Sequence, residues 1–487
     1  MILLKNNILF SLLFSCLFSA FLFDPENISL SGSSAISYND FRSSNPAAIS
    51  THKGMTIKII GLHAGLGTNF LSISNYNDIN GANFEDSTDP NYYPKSEFYD
   101  LFSDNIKFNS QLGVTLPFSD IIFNNFSFSS KIYSIAEFEL PKSFMRLALY
   151  GNEPEESYDL NIKNEVTIFS ESSIGYSKKF NNISVGSRLK YLQGLAYGKL
   201  NSLSNNSSYF FTDTTQGFLG QAQYLIHQGV GGSGFSIDLG VIYENQSSNW
   251  IFGGSIHNLF GKIYWDDNNL TYNLFKNSIV NQLPLRHNEK QFFSINLDTL
   301  NAMNMMSMSA NEIYSTENFS VVEFYNLCDI PFDLDSLFSN NDLIRTDKGS
   351  YLLKTENISN VVMDSLSLKV HNHITDYPTY LNLNAQKKLK EGISICLNLS
   401  TGFSNSLTNS EKWKISTGLL FNRFKNTPIT FGFSVGEQSS LNSGFSIGRY
   451  VGPFLINSGF KLRDGFFLQS MKGIDLSFSI IFKVNKR

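Results

Sequence analysis

The last segment of the chain sets the strongest limit on its fold. Ile474, Leu476, Phe478, Ile480, Phe482 and Val484 alternate with Asp475, Ser477, Ser479, Ile481 and Lys483. Successive side chains of a strand point to opposite faces, so a period of two builds a wall with one apolar side and one largely polar side. The pattern returns at Ile106, Phe108, Leu112, Val114 and Leu116, at Ile183, Val185, Leu189 and Tyr191, and at Phe235, Ile237, Leu239, Val241 and Tyr243. Each segment has the ~9–11 residues that a tilted strand needs to cross a bilayer.

The connections alternate in length. Short turns fit Phe118 to Asn125, Lys178 to Asn182, Gln246 to Asn249, Lys387 to Gly392, Asn422 to Thr427 and Tyr450 to Pro453. Between them run long polar stretches: Asn75 to Asp104, Glu139 to Lys163, Tyr197 to Gly234, Phe260 to Pro378, Ser404 to Glu411 and Leu462 to Lys472, with a shorter one at Glu437 to Asn442. Tight turns on one side of a membrane and long loops on the other are what an up-and-down barrel requires. Seven strands before Phe260 and seven after Pro378 predict an all-β, antiparallel transmembrane barrel of fourteen strands with both ends on the short-turn side. The count becomes sixteen if Tyr209 to His227 and the strand-like pieces Gln291 to Leu297, Asn318 to Leu327 and Leu366 to Val370 supply another spanning pair. The insertion 260–378 is expected outside the cell, with structure of its own as a cap or plug.

Composition narrows the class. With 44 Phe, 22 Tyr, 16% charged residues and a mean hydropathy of −0.12, the chain is aromatic-rich yet too polar for a bundle of membrane helices. A wall that alternates lipid-facing and lumen-facing residues averages out this way. Lys5 precedes an apolar run from Ile8 to Phe23, the form of an export signal, read here as residues 1–20 with cleavage after Ala20. Leu13-Phe14-Ser15-Cys16 departs from a lipoprotein signal at the bulky Phe14. The domain reading is therefore a signal at 1–20, an N-terminal segment at 21–53 and a barrel at 54–487.

Four segments carry a family resemblance. The small-residue segment from Ser31 ends in Asn45-Pro46-Ala47-Ala48 just ahead of the first strand. Leu140-Pro141-Lys142-Ser143-Phe144 and Leu147 to Asn152 follow, then Gly234-Phe-Ser-Ile-Asp238-Leu239-Gly240-Val-Ile-Tyr243 and Ser255-Ile-His-Asn258-Leu259. Together they resemble an uncharacterised family of outer-membrane barrels related to the long-chain fatty-acid transporter (FadL-type) superfamily. The resemblance implies an N-terminal hatch that occludes the lumen, with Asn45, Pro46 and Ala47 in it, and passive transport of hydrophobic or amphipathic small molecules. The residues give separate reasons for the same positions. Pro46 fixes its own φ and biases Asn45 to an extended shape. Gly234 and Gly240 relieve crowding where strands bend or meet bulk. Asp238, opposite in phase to Ile237 and Leu239, should face the lumen.

Other chemistry is poorly supported. Gly229-Val-Gly231-Gly-Ser-Gly234 matches a dinucleotide pattern but runs into a strand, so no helix N-terminus awaits a phosphate. His371 and His373 share a strand face without a third ligand, and the acids Asp329, Asp333, Asp335, Asp342 and Asp347 lack the Gly and closing Glu of a calcium loop. Glu85, Asp86, Asp89, Glu97 and Asp100 read as outward-facing charge. Cys16 leaves with the signal, while Cys328 and Cys396 form neither a disulfide framework nor a zinc site. No Ser and His spacing singles out a nucleophile, so the chain is not read as an enzyme and no cofactor or metal is expected. A net charge of −5 and the lack of a basic aromatic cluster argue against nucleic acid. The expected partners are outer-membrane lipid, a hydrophobic small molecule and the barrel-assembly machinery during biogenesis. Two rival readings remain: a barrel that anchors the insertion as a surface scaffold for adhesion or secretion, and a secreted soluble β-protein.

Overall fold

A computed structural model describes residues 28–30, 45–52, 54–102, 105–202, 208–214, 217–265, 373–390, 392–404, 411–424, 426–436 and 439–484, and the backbone of strands at 289–300, 319–324, 345–346 and 349–350. Fourteen strands form its wall. They are β1 (Met55–Thr68), β2 (Asn105–Thr115), β3 (Phe126–Pro141), β4 (Lys163–Phe180), β5 (Ile183–Ser202), β6 (Gly217–Asn245) and β7 (Trp250–Leu259). The second half is β8 (Tyr380–Lys390), β9 (Ile393–Gly402), β10 (Lys414–Phe421), β11 (Ile429–Gly436), β12 (Ser439–Val451), β13 (Phe454–Arg463) and β14 (Gly473–Val484). Each pairs antiparallel with the next. The ring closes where β1 meets β14, from Met55 opposite Val484 to Gly67 opposite Gly473. A closed ring leaves no edge strand, which is what a bilayer demands of a β-protein.

The wall is inside out relative to a soluble domain. On β5, Ile183, Val185 and Leu189 are exposed while Ser184 and Lys190 are buried; on β6, Phe235, Leu239 and Val241 are exposed while Ser236 and Asp238 are buried. The apolar face therefore looks outward and the polar face into the lumen, the arrangement of a wall made to meet lipid. No helix among the described residues is long and apolar enough to cross a membrane.

The wall is uneven in height. β3, β4 and β5 run for 16, 18 and 20 residues, whereas β7 to β11 have 8 to 11. β6 has 29 residues, far more than a span requires. Its upper half, Phe218 to Gln228, pairs with the strand Glu289–Leu300, which in turn pairs with Phe319–Phe324. Two of the strand-like pieces of the insertion thus extend the wall upward as an outer sheet. They do not enter the ring, so the count stays at fourteen. The expected loop from Tyr197 to Gly234 is also corrected: β5 continues to Ser202, β6 begins at Gly217, and the strand Tyr209–Asp213 pairs back on β6. The piece Leu366 to Val370 lies outside the described residues.

At the long-loop end, short helices at Ile73–Ile79, Lys95–Asp100 and Ser143–Tyr150 roof part of the mouth. Phe70, Phe102 and Ile106 pack beneath them with Phe98, Leu140 and Met145.

Candidate functional site: the occupied lumen

The lumen is filled by the chain itself, in three layers. The lowest, nearest the short turns, is the N-terminal segment. Pro46–Thr51 is a short 3-10 helix packed against the inner faces of β4, β5 and β6. Pro46 is pre-set for the first helical position, and Asn45 caps the helix by accepting the Ala47 backbone N–H at 3.0 Å. The Asn45 side chain also donates to the carbonyls of Val241 and Gly254, each at 3.1 Å, and Ser177 Oγ donates to Ala47 O at 2.9 Å. Ala47 packs on Ile242 and Ile251.

Two glycines make room for this segment. A Cβ at Gly240 would sit 2.0 Å from Asn45 Oδ1, and one at Gly186 would sit 2.4 Å from Pro46 O. On the opposite wall, Ser29 donates to Ser446 at 3.2 Å and shares a hydrogen bond with Thr430 Oγ1. Leu30 packs there with Cys396 and Leu420. Asn45, Pro46 and Ala47 are therefore inside the barrel and almost wholly buried.

Above the segment lies a charged layer centred on Asp238, which is 0% exposed. Its carboxylate lies 3.0 Å from Lys190 Nζ, 3.3 Å from His257 Nδ1 and 3.4 Å from Arg188 Nη1, and it accepts the Asn258 backbone N–H at 2.9 Å. Lys190 reaches Glu171 at 3.4 Å and donates to Asn258 Oδ1 at 2.7 Å. Glu171 accepts the Tyr377 hydroxyl. His257 stacks on Tyr380 with centroids 4.6 Å apart, and its Nε2 lies 2.8 Å from Ser255 Oγ. Ser255, His257 and Asp238 thus form a hydrogen-bonded chain, although the Asp238 carboxylate also serves two cations and a backbone N–H.

The top layer is aromatic, and it contains the chief surprise. The first residues of the insertion, Lys262–Tyr264 and Trp265, and its last, Ile374–Asp376 and Tyr377, pair with each other and turn inward. Sequence reading placed all of 260–378 outside. The wall opposite explains the correction: a Cβ at Gly234 would sit 1.7 Å from Lys262 O, and Cβ atoms at Gly194 and Gly232 would strike the Trp265 ring. Ile263, Trp265 and Tyr377 instead fill that space against Tyr133, Ile135, Phe169, Leu192 and Tyr197. Trp265 Nε1 donates to Thr375 Oγ1 at 2.9 Å, and His373 stacks on Tyr197. The Gly229 to Gly234 run, expected as the end of a loop leading into a strand, is itself strand and leads into no helix; it serves this packing rather than a phosphate.

A second charged group sits on the other wall towards the long-loop end. Arg463 donates to Asp475 through Nε at 2.8 Å and again through Nη2, while Lys461 lies 2.8 Å and His63 3.7 Å from the same carboxylate. Arg463 also donates to Gln111 at 2.9 Å and to Asn109.

Of the residues the sequence singled out, the structure brings Asn45, Pro46 and Ala47 into one layer and Asp238 into the next. It adds Arg188, Lys190, Glu171, His257 and Tyr377, which no spacing in the sequence marks. Among the described residues no group of three or more His, Cys, Asp or Glu could hold a metal. His371, Cys328 and the acids Asp329 to Asp347 lie outside the described residues.

A family model matches residues 46–319, and its description is a family of unknown function (DUF5723). No characterised protein matches the sequence. Among solved structures, the chain is similar to the Ralstonia pickettii toluene transporter TbuX, at 8% identity and a TM-score of 0.47 over 95% of this chain and 98% of that one. It is similar to the P. putida toluene transporter TodX at 11% identity, TM-score 0.46, over 95% and 100%. It is also similar to a Pseudomonas aeruginosa FadL homologue at 10% identity, TM-score 0.44, over 96% and 100%.

Proposed function

The chain belongs to this family of unknown function, DUF5723, and from that premise we propose that it is an exported outer-membrane barrel that passes hydrophobic or amphipathic small molecules without an energy source. The observation that carries this reading is the lowest layer: a capped, buried segment seated inside the ring by a handful of hydrogen bonds and two glycine gaps. Gly240 and Gly186 keep the wall clear of Asn45 and Pro46 and so shape a seat for the segment. A movable closure needs both a seat and a low cost of leaving it. In this reading Asn45, Pro46 and Ala47 are the closing element, and Asp238 belongs to the polar floor that a passing molecule meets next.

Flux through protein reconstituted in liposomes tests it. Removing 31–48 should raise permeability to small hydrophobic solutes and change fatty-acid binding. If neither moves, the segment is a fixed part of the wall and the reading fails.

The rival reading, a barrel that anchors its insertion as a surface scaffold, is favoured by the outer sheet on β6. Trimming 266–372 keeps both inward-turned ends while removing the outer part. A transporter should keep its flux after this change; an anchor should keep its fold and lose its partners.

A further inference from the structure

We propose that Lys190 and Asn258 become joined by an intramolecular isopeptide bond, with Asp238 as the acid that carries the proton between them. The three residues stand on consecutive strands, Lys190 on β5, Asp238 on β6 and Asn258 at the end of β7. Lys190 Nζ is 2.7 Å from Asn258 Oδ1, so the carbonyl carbon lies about one C=O bond length beyond the contacted oxygen. Asp238 Oδ1 lies 3.0 Å from the same nitrogen and also holds the Asn258 backbone N–H at 2.9 Å. Glu171 approaches Lys190 from the other side at 3.4 Å. All four side chains are buried, and the aromatic layer lies directly above them.

Two details aim the amide. Asn258 has φ of 56°, a left-handed conformation that Asn tolerates better than most residues and that turns its side chain out of the regular strand alternation. Its Nδ2 donates to Pro378 O at 3.0 Å, which fixes which end of the amide faces Lys190. Reactants held at contact distance, in fixed orientation and away from water, meet the conditions that make an intramolecular reaction far faster than its free counterpart.

The step balances without any co-reactant. The Lys190 ammonium gives a proton to Asp238, and the freed amine attacks Asn258 Cγ. The Nζ–Cγ bond forms, the Cγ–Nδ2 bond breaks, and protonated Asp238 returns its proton to the departing nitrogen. Ammonia leaves and takes up the remaining proton from the former ammonium. Glu171, left on the far side of the new amide, keeps its bond from the Tyr377 hydroxyl. The product is a covalent staple from β5 to β7 across β6, independent of whether the barrel transports anything.

Mass spectrometry of the full-length protein, folded in membranes and then denatured, tests this directly. The expected intact mass is lower than that of the linear chain by one ammonia. Proteolysis should yield one branched peptide that contains both Lys190 and Asn258. In K190R and in Asp238→Ala the branched peptide should vanish, while Asn258→Asp should restore it with loss of water instead. The wild-type measurement stands alone if those variants fail to assemble. Lys190 and Asn258 recovered in separate, unmodified peptides would overturn the proposal. Ammonia loss confined to a peptide without Lys190 would overturn it equally, because that is cyclisation of an Asn on its own backbone.

Discussion

Asp238 and Lys190 face each other across the β5–β6 ladder at 3.0 Å, each all but removed from solvent. Their pairing is diagonal, since Arg188 is the residue directly opposite Asp238 and Ser236 the one opposite Lys190. One carboxylate therefore balances two cations on the neighbouring strand. Replacing it with Asn should leave Lys190 the Glu171 carboxylate and the Asn258 amide, and take the facing carboxylate away from Arg188. Breaking a buried pair by removing one member costs about 3–5 kcal/mol. The expected outcome for Asp238→Asn is a barrel that loses its heat-modifiable gel migration at a clearly lower temperature than wild type.

Gly240→Val probes the seat of the N-terminal segment without touching the segment. The new side chain would occupy the place of the Asn45 amide, so both hydrogen bonds from Asn45 to the wall should be lost, at about 1 kcal/mol each. The ring should still assemble, since valine favours strands. Protease added from the short-turn side should then cut between residues 45 and 52, where wild type resists.

Trp265→Ala should open the top layer. Removing a buried Trp costs about 3–5 kcal/mol because the surrounding packing relaxes only in part. Gly194 and Gly232 have no side chains with which to fill the gap. Small-solute leakage through reconstituted protein should rise, and rise further when 31–48 is also removed, if the two closures act in series.

The loop at Asp86 and Asp89 should loosen in acid. Asp89 accepts the Asn91 backbone N–H at 2.8 Å and the Asn83 side chain at 3.1 Å, and Asp86 accepts both donors of Thr88. These bonds hold both carboxyls below the ordinary value of 3.8. A depressed pKa means the ordered loop gains stability above the ordinary value and loses it as pH falls through the lowered one. Cleavage by an acid-active protease between residues 83 and 91 should therefore rise as pH drops below that value and stay flat above it.

Much of the fold was legible because alternation is a local signal. A run such as Ile474 to Val484 states its own two faces, and the turns at Lys178 to Asn182 and Tyr450 to Pro453 state their own brevity. Asp238 could be assigned to the lumen for the same reason. Its partners could not. Arg188, Lys190 and Glu171 come together through the register of β4, β5 and β6, which depends on strands some tens of residues apart. The inward turn at Trp265 left one trace: glycines at 194, 232 and 234 on lumen-facing positions, where a barrel with an open bore would carry polar side chains. Tyr209 to His227 misled because β6 runs far past the bilayer, and period two does not say where a membrane ends.

That long strand has a mechanical meaning. β6 passes without a break from the outer sheet to Asn245 at the short-turn end, paired along most of its length with β5. A pull applied to the outer sheet would run along the strand axis, so the ladder bonds would share the strain in shear rather than open one after another like a zip. A tug on the outer sheet would reach the lumen as tension along the strand that carries Asp238.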